Sequence, residues 1–345
     1  MHWKKMVNVV NTHCEGENGA VVLGGVINVP GETMLDKLNY LNNEGRDLQR
    51  FLCFEPRGVP HGSFNIVTAP IHPEADAGFI ILQPDGAHPM SGSNAICVTT
   101  ALLETGAVPM QEPETVVTLD TAAGLIKAVA RCEAGKCVDV TLAMVPSFVE
   151  QLDFEVSYLG QTIRGDIAFG GDYYAIVDVE QLGLTIDPAN AGELFAKGVE
   201  LVELFNRSIS VEHPLYSTLN KLSYVMFRQV EDDVIKTCTT LKPGRCDRSP
   251  CGTGSSANLA TLYQRGLVKE GDELFSQSII GSRFKVRLDG VTTIGDKQAV
   301  LPKITGRGWI YGTQQLALDP SDPFQQGFVL SDTWGPYIDE LKIDQ

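Results

Sequence analysis

No apolar run in this 345-residue chain reaches the roughly 18 residues needed to cross a bilayer, so no membrane-spanning helix is expected. Behind Met1-His2-Trp3-Lys4-Lys5 there is no long apolar stretch or small-residue cleavage site of a signal peptide. The eight cysteines, at 14, 53, 97, 132, 137, 238, 246 and 251, include no Cys-x-x-Cys pair. Cys132 and Cys137 lack a matching His or Cys pair, and His13, His61, His72 and His88 share no spacing, which argues against a metal. Gly24-Gly25 and Gly170-Gly171 lack the Gly-x-Gly-x-x-Gly pattern of a dinucleotide loop, and no Schiff-base lysine motif is evident. Positive charge is scarce: 27 Lys and Arg stand against 43 Asp and Glu, for a net charge of -16. Such a surface repels phosphate backbones, so a nucleic-acid partner is not expected. These absences lead us to expect a cytoplasmic protein with reduced thiols, no cofactor, no metal and a small-molecule partner.

The composition itself is globular, with 43% hydrophobic and 20% charged residues, and the length suits two domains. Residues 21–23, 79–82, 116–119, 138–142 and 173–177 read as strands, and the stretch from Pro188 to Ser208 as a helix. The mixture is α/β (α+β).

Two segments echo each other. Ser91-Gly92-Ser93-Asn94 opens one that ends at Gly106, and Cys251-Gly252-Thr253-Gly254 opens another that ends at Gly266, fifteen positions on in each case. Leu102 matches Leu262, and Val108 matches Val268. Each segment reads as one helix, with a Gly-hydroxyl pair at the start and a left-handed glycine at the end. The repeat implies two similar halves, each presenting a helix N-terminus beside a small nucleophile.

Free N–H groups and partial positive charge at a helix start bind carboxylates and lower the pKa of a cysteine placed there. Cys251, fixed by Pro250, is therefore expected to be the most reactive thiol. Donors at Gly92, Ser93, Gly252 and Thr253 would grip one carboxylate, with Ser91 and Cys251 on either side of its α-carbon as the acid–base pair. Asp247 suits a single ammonium group, and it suits equally a purely local turn cap. Cys53, Cys97 and Cys246 read as packing residues, and His88 is the histidine closest in sequence to Ser91.

Asp247-Arg248-Ser249-Pro250-Cys251-Gly252-Thr253-Gly254 resembles the second catalytic motif of the proline racemase family, and Met90-Ser91-Gly92-Ser93-Asn94 resembles the first. Thr12-His13-Cys14-Glu15-Gly16 and Gly170-Gly171-Asp172-Tyr173-Tyr174 are similar to further landmarks of that family. The resemblance implies a diaminopimelate epimerase-like fold of two pseudo-symmetric halves, each a central helix wrapped by strands. The halves are expected at 1–122 plus 315–345 and at 123–314, with the active site in the cleft between them. It further implies a homodimer acting on an imino acid without a cofactor. Ser91 and Cys251 would be catalytic, Gly92, Ser93, Gly252 and Thr253 would bind substrate, and Asp247 would hold the ring nitrogen.

This chain departs from the family pattern at Ser91, where racemases usually carry Cys, and at Ser93, where they carry His. A serine hydroxyl is a far weaker acid than a thiol. In trans-3-hydroxy-L-proline the hydroxyl and the α-hydrogen share a ring face, so one face of the site could eliminate water in a syn sense. The sequence therefore ranks dehydration of trans-3-hydroxy-L-proline to 1-pyrroline-2-carboxylate first and 4-hydroxyproline 2-epimerisation second. Proline racemisation comes third, and a catalytically silent imino-acid binding protein is the reading from another class.

Overall fold

The computed structural model describes residues 4–26, 28–231, 234–241, 244–335 and 337–341. They form two compact units, Met1–Leu142 with Gly306–Gln345, and Ala143–Thr305.

Unit 1 contains β1 (Lys5–Cys14), β2 (Glu17–Asn18), β3 (Ala20–Gly24), α1 (Met34–Asn42), α2 (Arg46–Cys53), β4 (Phe64–Thr68), β5 (Ala77–Gln83), β6 (Gly86–His88), α3 (Gly92–Glu104), β7 (Glu114–Thr121), β8 (Gly124–Glu133) and β9 (Lys136–Ala143). A last strand, β19 (Gly308–Leu318), returns from the far end of the chain. The ladder runs β19-β1-β3-β4-β5-β7-β8-β9, antiparallel except at β3–β4 and β5–β7.

Unit 2 contains β10 (Ser147–Tyr158), β11 (Gln161–Phe169), β12 (Tyr173–Asp178), α4 (Ala191–Ser208), β13 (Leu222–Glu231), β14 (Val234–Leu241), β15 (Arg245–Cys246), α5 (Gly252–Gln264), β16 (Glu273–Ser278), β17 (Arg283–Ile294) and β18 (Lys297–Gly306). Its ladder runs β10-β11-β12-β13-β14-β16-β17-β18 and closes through a β18–β10 pairing. The parallel steps are β12–β13 and β14–β16.

The two ladders match step for step. In each, a helical excursion separates the first parallel pair, and a two- or three-residue strand precedes the central helix. The sixteen-residue echo is thus one part of a duplication that covers the whole topology. Both units have the helix-in-strands form of the diaminopimelate epimerase-like fold.

The chain changes unit at Leu142/Ala143 and Thr305/Gly306, which corrects the boundaries expected at 122/123 and 314/315. Strand pairing sets the difference. Residues 123–142 form a hairpin that continues the β7 ladder, from Glu114 opposite Arg131 to Ala128 opposite Leu142. Residues 308–314 already pair with β1.

The central helices α3 and α5 are buried nearly all round, which suits a helix enclosed by strands. Their hydroxyls tolerate this by returning to the helix backbone. Thr99 Oγ1 donates to the Ala95 carbonyl, Thr100 Oγ1 to Ile96 and Ser256 Oγ to Gly252, each at 2.8 Å. Gly106 (φ 76°) and Gly266 (φ 70°) end them in the left-handed region, as the sequence predicts. Arg228 tethers α5 from outside, donating to Asn258 Oδ1 at 3.0 Å while paired to Asp178 at 2.6 Å. The predicted helix near 188–208 is α4, whose buried Leu194, Leu201 and Phe205 form a single stripe.

Candidate active site

Each expected nucleophile is the N-cap residue of a central helix: Ser91 makes no bond to its own first-turn N–H groups, and Cys251 makes no regular side-chain cap, meeting the first-turn backbone only through the lowering influence of the Gly254 N–H. A serine at this position usually accepts from the backbone two or three residues on. Ser91 instead accepts from the side-chain amide of Asn94, Nδ2 to Oγ at 3.1 Å, and lies 3.1 Å from Ser93 Oγ. The Asn94 amide cannot turn over, because its Oδ1 accepts from Ser63 Oγ and Asn65 Nδ2, both at 2.9 Å. Asn65 Nδ2 in turn donates to the Gly19 carbonyl at 3.1 Å. A buried chain of polar groups thus aims one N–H at the Ser91 oxygen, where it favours negative charge. In unit 1 the structure brings together Ser91, Gly92 and Ser93 of the predicted set.

In unit 2 it brings together Asp247, Cys251, Gly252 and Thr253. Asp247 is buried, and its Oδ1 accepts from Ser249 N–H at 2.8 Å and from Ser249 Oγ at 2.9 Å. Cys251 N–H then donates to Ser249 Oγ at 3.2 Å. The turn-capping role left open by the sequence is real, and it locks the approach to Cys251. The Pro250 carbonyl is held by Thr237 Oγ1 at 3.1 Å and Ser255 Oγ at 3.0 Å. Cys251 adopts φ 63°, ψ 101°, a region costing a non-glycine residue about 1–3 kcal/mol. Such strain persists where surroundings over-determine it, and functional sites are where it concentrates.

The Cys251 sulfur lies 3.5 Å from the Tyr174 hydroxyl and 3.8 Å from Thr253 Oγ1, while those two oxygens are 2.6 Å apart. Gly254 makes room for this: a Cβ there would come within 3.1 Å of the sulfur and 3.2 Å of the Tyr174 ring. Gly170 lets the β11–β12 turn press on the first turn of α5, where a Cβ would lie 2.1 Å from the Thr253 carbonyl.

The acidity of Cys251 is opposite to the sequence expectation. Burial, then the Asp247 carboxylate, pushes the thiol up to about 11, against the lowering contributions of Tyr174, Thr239 and the Gly254 N–H. The helix start does not win because the sulfur is enclosed beside a negative charge. Cys251 therefore rests as a protonated acid at neutral pH, and it is not the activated thiolate that the helix start alone implies. Since Asp247 raises the value, Asp247→Asn, which keeps an acceptor for Ser249, is expected to lower it. Alkylation of Cys251 at pH 8, followed by peptide mapping, should run faster in that variant than in the parent. An unchanged or slower rate would show that the carboxylate does not hold the thiol up.

The other sequence readings are placed as follows. Cys97 is fully buried, its thiol pushed up by burial to about 12, and Cys53 is also fully buried with its thiol raised by burial. Cys246 is buried and donates to the Ala191 carbonyl at 3.5 Å. His88 pairs with Asp85 at 3.0 Å. Among the described residues, no cluster of three or more His, Cys, Asp or Glu is placed to hold a metal ion. Sequence reasoning missed Asn94 and Tyr174. Asn94 had a signal, since it sits three residues after Ser91 and so on the same helix face. Tyr174 had none beyond its place in the Gly170-Gly171 landmark.

The chain matches the family described as proline racemase over residues 9–329. It is 55% identical over 346 residues to a 4-hydroxyproline 2-epimerase of Rhizobium etli, covering 99% of this chain and 100% of that one. It is also 55% identical to a protein of the same name from Allorhizobium ampelinum, with 99% and 100% covered. A solved hydroxyproline epimerase from Agrobacterium vitis, with bound trans-4-hydroxy-L-proline, superposes with a TM-score of 0.92 at 55% identity. That match covers 98% of this chain and 99% of the other. A Bacillus anthracis protein of the PhzF phenazine-biosynthesis family shares the fold alone, at 13% identity and a TM-score of 0.58.

Proposed function

The chain belongs to the proline racemase family, and on that premise we propose that it is a 4-hydroxyproline 2-epimerase, converting trans-4-hydroxy-L-proline to cis-4-hydroxy-D-proline by inversion at the α-carbon. The observation that carries this reading is the 55% identity, across nearly the whole chain, to a solved hydroxyproline epimerase holding trans-4-hydroxy-L-proline.

In this reading Ser91 and Cys251 act on opposite faces of the α-carbon, one removing the proton and the other supplying its replacement. The N–H groups that open α3 and α5 receive the substrate carboxylate, on which charge accumulates as the α-proton leaves. Asp247 takes the ring ammonium. Once that cation sits against Asp247, the upward push of the carboxylate on the Cys251 thiol is offset. Asn94 supplies the matching support for Ser91, holding an N–H on the oxygen in whichever protonation state it has.

The order in which the sequence ranked the reactions is reversed. From the sequence, dehydration of trans-3-hydroxy-L-proline comes first because a serine hydroxyl is a far weaker acid than a thiol and a syn elimination needs only one face. The relatives at 55% identity carry the epimerase name. The Asn94–Ser63–Asn65 network is the support the sequence did not reveal.

The test is to incubate the protein with trans-4-hydroxy-L-proline and with trans-3-hydroxy-L-proline in parallel. Chiral chromatography should show cis-4-hydroxy-D-proline accumulating from the first. A cyclic-imine assay should show no comparable product from the second. Rapid imine formation without inversion of the first substrate would restore the dehydratase reading.

A further inference from the structure

Tyr173 and Tyr174 are neighbours on β12, both buried, yet their hydroxyls differ. The Tyr173 hydroxyl has no hydrogen-bond partner among the described residues. The Tyr174 hydroxyl stands between two groups of the candidate site, 2.6 Å from Thr253 Oγ1 and 3.5 Å from Cys251 Sγ. A phenol has one hydrogen to give. We propose that Tyr174 is a positioning residue whose single hydrogen is shared between Thr253 and Cys251, coupling occupation of the carboxylate site to the protonation of the catalytic sulfur. The inference rests on the reading of Thr253 as a carboxylate-binding group and Cys251 as an acid–base group.

The hydrogen count gives the coupling its direction. In the empty site the Tyr174 hydrogen is divided between the Thr253 oxygen and the sulfur, and it serves sulfur only while Thr253 Oγ1–H donates to the Tyr174 oxygen. A thiolate formed there is stabilised by that bond. When a substrate carboxylate accepts from Thr253 Oγ1–H, the Thr253 oxygen becomes the acceptor for Tyr174, and the sulfur loses this one of its donors, keeping Thr239 and the Gly254 N–H. Substrate binding thereby makes the thiolate a stronger base at the moment a base is needed. The phenol keeps its proton throughout: burial first, then the neighbouring Cys251 charge, raises it well above its ordinary range. The titratable groups around the pair are Asp247 on the approach to α5, Asp172 before β12, and Tyr224 on β13, whose ring lies 5.3 Å from that of Tyr174. None of these bridges sulfur and Thr253.

The experiment measures iodoacetamide alkylation of Cys251 in the full-length protein without substrate, at a fixed pH below the thiol midpoint, with peptide mapping. Tyr174→Phe removes a donor to the thiolate and should slow alkylation by about tenfold or more, as expected for one hydrogen bond to a charged group. Thr253→Val should accelerate it, because the Tyr174 hydrogen then has only sulfur to serve. Tyr173→Phe should leave the rate unchanged. A merely structural disturbance would not produce opposite signs at 174 and 253. Equal rates in Tyr174→Phe and the parent, or shifts of the same sign in both variants, would overturn the proposal. Because alkylation uses no substrate, failure of the parent to invert 4-hydroxyproline would sink the functional reading while this comparison still decides the role of Tyr174.

Discussion

Cys251→Ala is expected to lower kcat/KM for inversion of trans-4-hydroxy-L-proline by about 10²–10⁴-fold, the usual loss for an acid–base group. The fall should lie in kcat, since the N–H donors that open α5 and the Asp247–Ser249 turn do not depend on the sulfur. The fold should survive, because the sulfur makes no regular helix cap and its polar contacts, Tyr174 at 3.5 Å, Thr253 at 3.8 Å, Thr239 and the Gly254 N–H, are weak hydrogen bonds to a thiol. A second variant separates chemistry from stability. Cys251 carries φ 63°, where a Cβ is strained. Cys251→Gly relieves that strain and should melt no lower than Cys251→Ala while being equally inactive. Steady-state kinetics with thermal denaturation checks both statements. An alanine variant that keeps its kcat would remove Cys251 from the mechanism.

Ser91→Ala should be as damaging to inversion, again by about 10²–10⁴-fold, but the two losses should differ in kind. With one face disabled, the surviving group can still remove the α-proton of the isomer that faces it and return a solvent proton to the same side. Each single variant should therefore exchange the α-hydrogen of one isomer of 4-hydroxyproline without inverting it, and the preferred isomer should differ between the two. Ser91→Cys should retain inversion, since the Asn94 amide can donate to a thiolate as it does to the oxygen. Mass spectrometry of each isomer recovered from deuterated buffer reads the result. Exchange of the same isomer by both alanine variants would contradict a division of labour between faces.

Much of this was legible in the residues themselves. The glycine-bounded echo from Ser91 to Gly106 and from Cys251 to Gly266 located both central helices, because helix starts and left-handed caps are written in local chemistry. The strand readings held for the same reason. The domain boundaries did not: whether residues 123–142 continue the β7 ladder is decided by long-range pairing, which no local pattern encodes. The site residues were found by type and spacing, and their electrostatics were not. Cys251 at a helix start reads as an acidic thiol until burial and Asp247 are counted. Ser91 reads as an unsupported serine until Ser63 and Asn65, brought from another strand region, fix the Asn94 amide against it.

The most direct measurement follows wild-type protein and trans-4-hydroxy-L-proline in deuterated buffer by proton NMR, at early times before the reverse reaction contributes. Inversion by Ser91 and Cys251 from opposite faces predicts cis-4-hydroxy-D-proline carrying deuterium at the α-carbon, while remaining substrate keeps its hydrogen. Substrate that loses its α-hydrogen with no inverted product, or that is not consumed at all while trans-3-hydroxy-L-proline yields a cyclic imine, would contradict it.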